Sequence, residues 1–410
     1  MGSIPEAKRV DFASNLIHQL ESLNKSAFDQ ILDHDDYRKQ ALHIAQQLTL
    51  SLEKPQTVPL NSILPVRSTV ARIAVDLDLF NLLADGSGSK TVEELASKTN
   101  SDPVLMARIL RILDCMGWAK QVEVDSFAPT EIGEVVRTRK PIEAGIKHLF
   151  DIALPVFSDM PEYFRRHGYI SPQDEAKGPF QYAFHTDETA FNWWAGDPVK
   201  STNFNTFMTG TGGGKKNHWT KWFPVEGHLI GSKPPGKEEV LLVDVGGGRG
   251  HDLDAFITKF PAAGGRYILE DLPSVIDDYQ EVNSAIEPVK HSFFDPQPIH
   301  GARAYFLHHV LHNWSDDSVI KILTAIRGAM KPVYSRILIN ESVLPDRDCP
   351  AWKAEMDWWM MAIHAGSQRT ESHFRTLCEK SGLVFCRYWA PPGGGDGIIE
   401  AMLGPEESAE

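Results

Sequence analysis

Cysteine is scarce: Cys115, Cys349, Cys378 and Cys386 are the only four in 410 residues, and they form no CxxC pair or other metal-ligand spacing. That excludes a disulfide framework, and with no secretory leader at Met1–Val10 the thiols are expected to be reduced in a cytoplasmic protein. Basic residues are also in the minority, 41 Lys and Arg against 55 Asp and Glu, for a net charge of −14. A phosphate backbone or an anionic membrane would need a basic surface, so neither nucleic acid nor membrane is expected as a partner. The short basic runs, Lys215-Lys216 and Arg165-Arg166, are too small to supply one. No apolar run approaches the ~20 residues of a membrane span. Internal repeats and long low-complexity tracts are missing as well. What remains is 42% hydrophobic and 23% charged residues, enough for a large core, in a chain long enough for two folded units. The polar start, Met1–Arg9, and the acidic end, Gly404–Glu410, are expected to fray.

Residues Val10–Leu52 read as one or two amphipathic helices, with Leu16, Ile17, Leu20 and Leu23, then Ala41, Ile44, Ala45 and Leu48, at helical spacing until Pro55 and Pro59. Such a pair cannot bury both faces within itself, so it must pack on the next unit or on a second chain. An apolar-periodic helix follows over Arg67–Leu83. Thr91-Val92-Glu93-Glu94 is a capping box, and Ser101-Asp102-Pro103 opens a helix running to Gly117. Ala119–Val124 and Phe127–Pro129 alternate as a hairpin, and Thr130–Val136 turns helical. Three helices and a two-stranded wing make a winged-helix pattern. The helix before the wing carries only Arg108 and Arg111 among its basic residues, too few for groove readout, so a structural or dimerising role is expected of residues 1–140.

Residues 141–236 read as mostly helical and dense in rings, among them Phe157, Phe180, Phe191, Trp193, Trp194, Phe204, Phe207 and Trp219. Any one of these is as readily core as ligand contact; together they favour an apolar, ring-lined pocket. Gly210–Lys216 resembles a phosphate loop but lacks its spacing, since Lys215 is followed by Lys216, and reads as a flexible turn. Ser232–Gly236 marks a boundary. From residue 237 to 410 short apolar runs alternate with helices: Val240–Val245, Arg266–Leu269, Ala304–Leu307, Arg336–Ile339 and Leu383–Tyr388. That pattern predicts an α/β, doubly wound, mostly parallel sheet covered on both faces.

Strand Val240–Val245 runs into Gly246-Gly-Gly-Arg-Gly-His-Asp252, where Gly246, Gly248 and Gly250 let backbone amides approach a ligand closely. A dinucleotide fingerprint from Gly246 would need glycine at His251, so the spacing suits an amino-acid-bearing nucleoside better than a pyrophosphate. Asp271 ends the second strand, placed to accept hydrogen bonds from both hydroxyls of a ribose; capping the next helix is its alternative use. His312 follows the strand Ala304–Leu307, and Glu341 follows Arg336–Ile339. Ends of neighbouring parallel strands converge on one crevice, where a histidine can take a proton and a carboxylate can orient it. Histidines 308, 309 and 312 cluster here, but with no carboxylate or cysteine at ligand spacing beside them no metal is expected.

These motifs resemble those of the plant-type and fungal small-molecule O-methyltransferases: a D-V-G-G-G-x-G loop, D-L-P after the second strand, and H-x-W-x-D. The likeness runs from about Leu60 onward and is most specific over residues 241–370. It implies a winged-helix dimerisation domain, hence a homodimer through residues 10–140, followed by a Rossmann-like domain that uses S-adenosyl-L-methionine and releases S-adenosyl-L-homocysteine. By the same likeness Asp244, Gly246 and Gly248 line the methionine end, Asp271 with Leu272 holds the ribose, and Ser292, Phe293 and His308 complete the cofactor site. His312 is then the base, Glu341 and Gln368 its supports, and Phe204, Met208, Trp314 and Met361 flank an aromatic or polyketide-like substrate. Two positions depart from the family. Ser292 stands where an acid usually faces the adenine, with Asp295 three positions late, and Gln368 replaces the second supporting acid. Those departures keep open a second use of the same fold, dehydration or pericyclic ring closure with the methyl group unspent.

Overall fold

A computed structural model describes residues 6–27, 35–54, 58–59, 66–86, 88–211, 218–231, 235–277, 279, 282–392 and 395–405. Pro55, most of the glycine-rich turn after Gly210, the start of the 232–236 boundary and the outermost residues of both chain ends lie outside the described residues. The chain divides into two compact units, Met1–Glu134 and Val135–Glu410.

In the first unit the N-terminal apolar pattern forms two helices, α1 (Glu6–Ala27) and α2 (Asp35–Leu52), which pack on each other and bury Leu16, Leu23 and Ile44. The helix expected over Arg67–Leu83 is two, α3 (Val66–Asp76) and α4 (Leu79–Ala84). Asp78 breaks it by entering left-handed backbone at φ 54°, a break that no glycine or proline announces. Strand β1 (Lys90–Thr91) leads to α5 (Val92–Thr99), whose capping box is formed: Glu94 N–H donates to Thr91 Oγ1 at 3.1 Å and Thr91 N–H to Glu94 Oε2 at 2.7 Å. Helix α6 (Pro103–Cys115) is capped by Asp102 and buries Met106, Ile109, Leu110 and Leu113. The wing has three strands rather than two, because β1 joins β2 (Ala119–Glu123) and β3 (Ser126–Pro129) in the order β1-β3-β2. A two-residue strand has no periodicity to read. Helix α7 (Glu131–Thr138) crosses the division between the units.

The second unit opens with α8 (Lys140–His148), a π-helical turn (Leu149–Ala153) and α9 (Leu154–His167). Pro155 has no amide to donate in the first turn of α9, and the wider turn before it absorbs the missing bond. Short helices α10 (Pro179–Phe184) and α11 (Ala190–Ala195) follow, then α12 (Pro198–Thr211).

The sheet domain then runs β4 (Val240–Val245), α13 (His251–Lys259), β5 (Arg266–Asp271), α14 (Pro273–Asp277), β6 (Ile286–Lys290) and β7 (Ala304–His308). It continues with α15 (Asp316–Arg327), β8 (Arg336–Glu341), α16 (Ala351–His364), α17 (Glu371–Lys380), β9 (Val384–Trp389) and β10 (Gly397–Met402). The order is β6-β5-β4-β7-β8-β10-β9, with β10 antiparallel to both its neighbours and the other pairings parallel. Alternate residues of the central strands bury on opposite faces. Val243, Ile268, Tyr305 and Ile337 meet Ile322 and Leu323 of α15, while Leu242, Leu269, Phe306 and Leu338 meet Trp219 and Phe256. Each such side chain contributes about 1.5–3 kcal/mol relative to exposure. The chain reverses direction across the sheet between β4 and β7, which opens a crevice at their C-terminal ends.

Candidate active site

The crevice starts from Asp244, 1% exposed on β4, and the glycine loop after it. Gly246 and Gly247 donate their amides to the Glu270 carbonyl at 2.8 and 3.2 Å. Gly247, which the spacing argument passes over, is fixed by close approach: a Cβ there would stand 2.4 Å from Asp244 Cγ and 2.6 Å from Leu269 Cδ1. At the tip of β5 the Asp271 carboxylate accepts Gly248 N–H at 2.8 Å and Leu272 N–H at 2.7 Å, so it is held over the loop rather than spent capping α14. The Leu272 side chain is exposed. Phe293 lies beside the loop, 3.5 Å from where a Gly246 Cβ would stand, and meets Trp314 edge-on at 5.7 Å. Ser292 Oγ accepts Phe294 N–H at 3.4 Å. His308 Nδ1 is 2.7 Å from Asp252 Oδ2, whose other oxygen faces His218 at 3.0 Å and accepts from Trp219 Nε1 at 2.8 Å. The sequence reading gives no role to Asp252, although it closes the glycine-loop run, and misses His218, which lies in no motif.

Four carboxyls converge on this loop. Burial, then the charges of Asp252, Asp271 and Glu270, push the Asp244 carboxyl well above the usual range. Burial pushes Glu270 up to about 7 against the opposing hydrogen bond from Gln297. Asp271 is also raised by burial, opposed by the two amides it accepts. Asp252 goes the other way: burial would raise it, but the charges and hydrogen bonds of His308 and His218 hold it low. Asp244 Oδ2 and Glu270 Oε1 are buried without a hydrogen-bond partner among the described residues. Such a site favours a cation over an anion.

Across the crevice, His312 sits on a one-turn helix, Leu311–Asn313, just beyond β7. Its Nδ1 lies 3.0 Å from Oε2 of the buried Glu341 at the end of β8, and its backbone N–H donates to Glu341 Oε1 at 3.2 Å. Burial would raise the Glu341 carboxyl, but the charges of His312 and His309 and the His312 hydrogen bonds keep it below its ordinary value. A carboxylate this close to Nδ1 favours the tautomer with the proton on Nδ1 and the lone pair on Nε2. The contact is one of charge rather than an aligned hydrogen bond, Glu341 Oε2 having no hydrogen-bond partner among the described residues. Gln368 Nε2 is 3.3 Å from the same Nδ1 while its Oε1 is buried without a partner among the described residues. With the proton on Nδ1, the amide would have to be turned over for its oxygen to face the ring, as a second acceptor beside Glu341 for the one ring proton.

The loop bearing Gln368 presses on the loop bearing His312. Ser367 N–H donates to the His312 carbonyl at 2.9 Å, and a Cβ on Gly366 would stand 2.1 Å from that oxygen. Arg369, fully buried, binds the Leu311, Ser367 and Trp314 carbonyls at 2.9, 3.0 and 2.7 Å and Asp316 at 3.0 Å. Arg369 follows Gln368 directly, but nothing in the local spacing assigns it this role.

The histidine cluster does meet a carboxylate: the fold brings in Asp396, next to β10, whose Oδ2 lies 3.1 Å from His309 Nε2 and 4.0 Å from His308 Nε2. These three side chains are close enough to share an ion. The pair His309–Asp396 is itself charge-balanced: burial would lower the ring, but the Asp396 hydrogen bond and charge bring it up to about 9.

The helical region before the sheet, together with α16, forms the aromatic cluster. Phe204 stacks on Trp194 at 4.8 Å, and Met361 packs against the same group. Trp314, Asn313, Phe191 and His364 border a cavity of about 30 Å³. Met208 is 39% exposed on α12.

A model of the O-methyltransferase domain matches residues 237–384, and one of the O-methyltransferase dimerisation domain matches residues 65–136. The O-methyltransferase penC of Penicillium thymicola is 37% identical over 390 residues, 94% of this chain and 96% of its own. The chain belongs to the O-methyltransferase family. This O-methyltransferase resembles, among solved structures, LepI in complex with SAM (29% identical, TM-score 0.83, 96% of this chain and 99% of that one). A structure described as a pericyclic reaction enzyme matches at 29% identity and TM-score 0.82, over 96% of this chain and all of the other. The protein is thus an S-adenosylmethionine-dependent O-methyltransferase whose relatives serve fungal secondary metabolism. Among the described residues no helix is long and apolar enough to cross a membrane.

Proposed function

We propose that this O-methyltransferase methylates a phenolic or enolic hydroxyl of an aromatic or polyketide-type metabolite, with His312 as general base. The observation that carries the reading is the His312–Glu341 contact at 3.0 Å, with the carboxylate 1% exposed at the end of β8. Bound S-adenosylmethionine supplies a methyl group made electrophilic by a sulfonium. The residues present fit it: four carboxyls crowd the loop, two of them with buried oxygens that find no partner among the described residues, and a cation relieves their repulsion. Asp244, Gly246 and Gly248 would hold its methionine end, Asp271 and Leu272 its ribose, and Ser292, Phe293 and His308 the remaining surface. Phe204, Met208, Trp314 and Met361 would position the substrate ring.

A phenol is a weak nucleophile until it loses its proton. His312 Nε2 accepts that proton while Nδ1–H stays on Glu341, whose charge stabilises the imidazolium. Gln368 supports the ring through a hydrogen bond without adding charge. Residues 1–140 would pair two protomers, 141–236 would shape the substrate pocket, and 237–410 would carry cofactor and base.

A second reading, ring closure or dehydration with the methyl group retained, draws support from the uncharged Gln368 and from the likeness to a pericyclic reaction enzyme. One experiment separates the two. Incubation of phenolic candidate substrates with methyl-labelled S-adenosylmethionine is expected to release S-adenosylhomocysteine and label the product. His312→Ala should cut that rate about 10²–10⁴-fold with cofactor affinity within twofold. Product without label refutes methyl transfer, and wild-type turnover in the variant refutes the base.

A further inference from the structure

The base of the proposed reaction stands on an element that does little to hold itself. Leu311–Asn313 is a single turn, closed by Trp314 N–H to the Leu311 carbonyl at 3.2 Å and by Asn313 N–H to the Val310 carbonyl at 3.3 Å. Both bonds lie at or just beyond the long end of the usual range. So short a helix gains nothing from propensity, and contacts outside it must fix where His312 points.

Arg369 supplies them. Its side chain is wholly buried and all three of its nitrogens are engaged. Nη1 donates to the Leu311 and Ser367 carbonyls at 2.9 and 3.0 Å, Nη2 to the Trp314 carbonyl at 2.7 Å, and Nε to Asp316 Oδ1 at 3.0 Å. Leu311 and Trp314 stand on either side of His312 in the chain, and Ser367 precedes Gln368. The Arg369 carbonyl accepts Leu344 N–H at 2.9 Å, three residues beyond Glu341. One residue thus ties the turn that carries the base to the segments that carry both of its supports. Asp316 opens α15, and its second oxygen lies 2.7 Å from His373 Nε2 in α17, so the anchor of the guanidinium is itself braced by two helices.

Charge alone does not account for this arrangement. A lysine would balance Asp316, but its donors diverge from one nitrogen, whereas the planar guanidinium presents N–H groups along fixed directions to one carboxylate and three carbonyls at once. We propose that Arg369 is a positioning residue for the reaction: its guanidinium, seated on Asp316, fixes the backbone on both sides of His312 and so the place of that ring beside Glu341. The inference rests on the reading that His312 is the base. The cofactor side of the crevice is held by other bonds, Asp271 and the Glu270 carbonyl accepting the amides of the glycine loop. Loss of the guanidinium therefore moves the base and spares the cofactor.

Two variants of the full chain test this. Arg369→Lys keeps the charge and removes the fork; Asp316→Asn keeps the guanidinium and removes the charge of its anchor. Hydrogen exchange read by mass spectrometry, with S-adenosylhomocysteine bound, should speed about tenfold over residues 310–315 in Arg369→Lys and stay at the wild-type rate over residues 241–247. On a phenol that wild type methylates, kcat should fall about 10–100-fold in Arg369→Lys, with KM within about threefold and S-adenosylhomocysteine affinity within about twofold. Asp316→Asn should fall between wild type and Arg369→Lys in both readings, because its amide oxygen still accepts from Nε. Wild-type exchange over 310–315, exchange raised equally over 241–247, or an unchanged kcat in Arg369→Lys would each overturn the proposal. Should Arg369→Lys fail to fold, wild-type values for Asp316→Asn in both readings overturn it instead. A turn loosened by the variant when wild type transfers no methyl group refutes the base and not the clasp. Transfer at the wild-type rate from the variant refutes the clasp and not the base.

Discussion

His309 lies in left-handed backbone at φ 53°, and its Nε2 meets Asp396 at 3.1 Å. Its folded value of about 9 stands above the ordinary value of 6.5. A raised histidine contributes stability that is full below 6.5 and is lost as pH rises through about 9. His309→Asn should therefore flatten the decline in Tm between those limits, measured by thermal unfolding from pH 6 to 10; parallel curves for wild type and variant would refute the pairing. His148 and His364 act in the opposite direction. They must stay uncharged in the fold, so they withdraw stability as pH falls from 6.5 through about 4 and about 3. Legibility divides along the same line. His312, Glu341 and Asp271 can be found in the sequence because each follows a readable strand, and the ends of parallel strands converge. Asp396, His148 and His364 gain their surroundings only from distant segments, and no local spacing encodes that.

At the level of elements, the contact between the loops of His312 and Gln368 makes a sharp prediction. The atoms a Gly366 Cβ would meet are backbone, the His312 oxygen at 2.1 Å and the Asn313 carbonyl carbon at 2.8 Å, so no side chain can swing away. Gly366→Ala should lower kcat about 10–100-fold by displacing the base, with the affinity for S-adenosylhomocysteine within twofold. Gly227→Ala, which meets nothing within 4 Å, is the control; equal kcat for the two would show that the contact does not position His312. Elements themselves differ in how plainly they are written. β4 and β5 are continuous buried runs and stand out. β6 is interrupted by Pro288 and buries only Ile286, and β10 carries Gly397 and a buried Glu400 among its apolar residues. Both therefore escape a search for apolar stretches.

At the scale of the whole molecule, the N-terminal helices leave an apolar surface uncovered among the described residues. Val10, Phe12, Ile17, Leu42 and Leu50 remain exposed although α1 and α2 pack on each other. A second copy is the expected cover, in keeping with the dimerisation-domain match over residues 65–136. Sedimentation equilibrium should return twice the chain mass for wild type and move toward one chain mass for Phe12→Lys combined with Leu50→Glu. A monomeric wild type would remove the proposal. The broad plan of helical region, ring-rich segment and doubly wound sheet was open to reading from composition and periodicity. The partners of the exposed faces were not, because a surface pattern says that something must cover it without saying what.

The sheet order carries a consequence for biosynthesis. β10 is translated after both β8 and β9, yet it lies between them. While the ribosome is still short of Gly397, the flank of β8 is bare, and β9 has nothing to dock against. A message cut short anywhere upstream of that glycine would thus yield not a slower enzyme but a chain with an open strand edge, the kind of surface that recruits neighbours into aggregates.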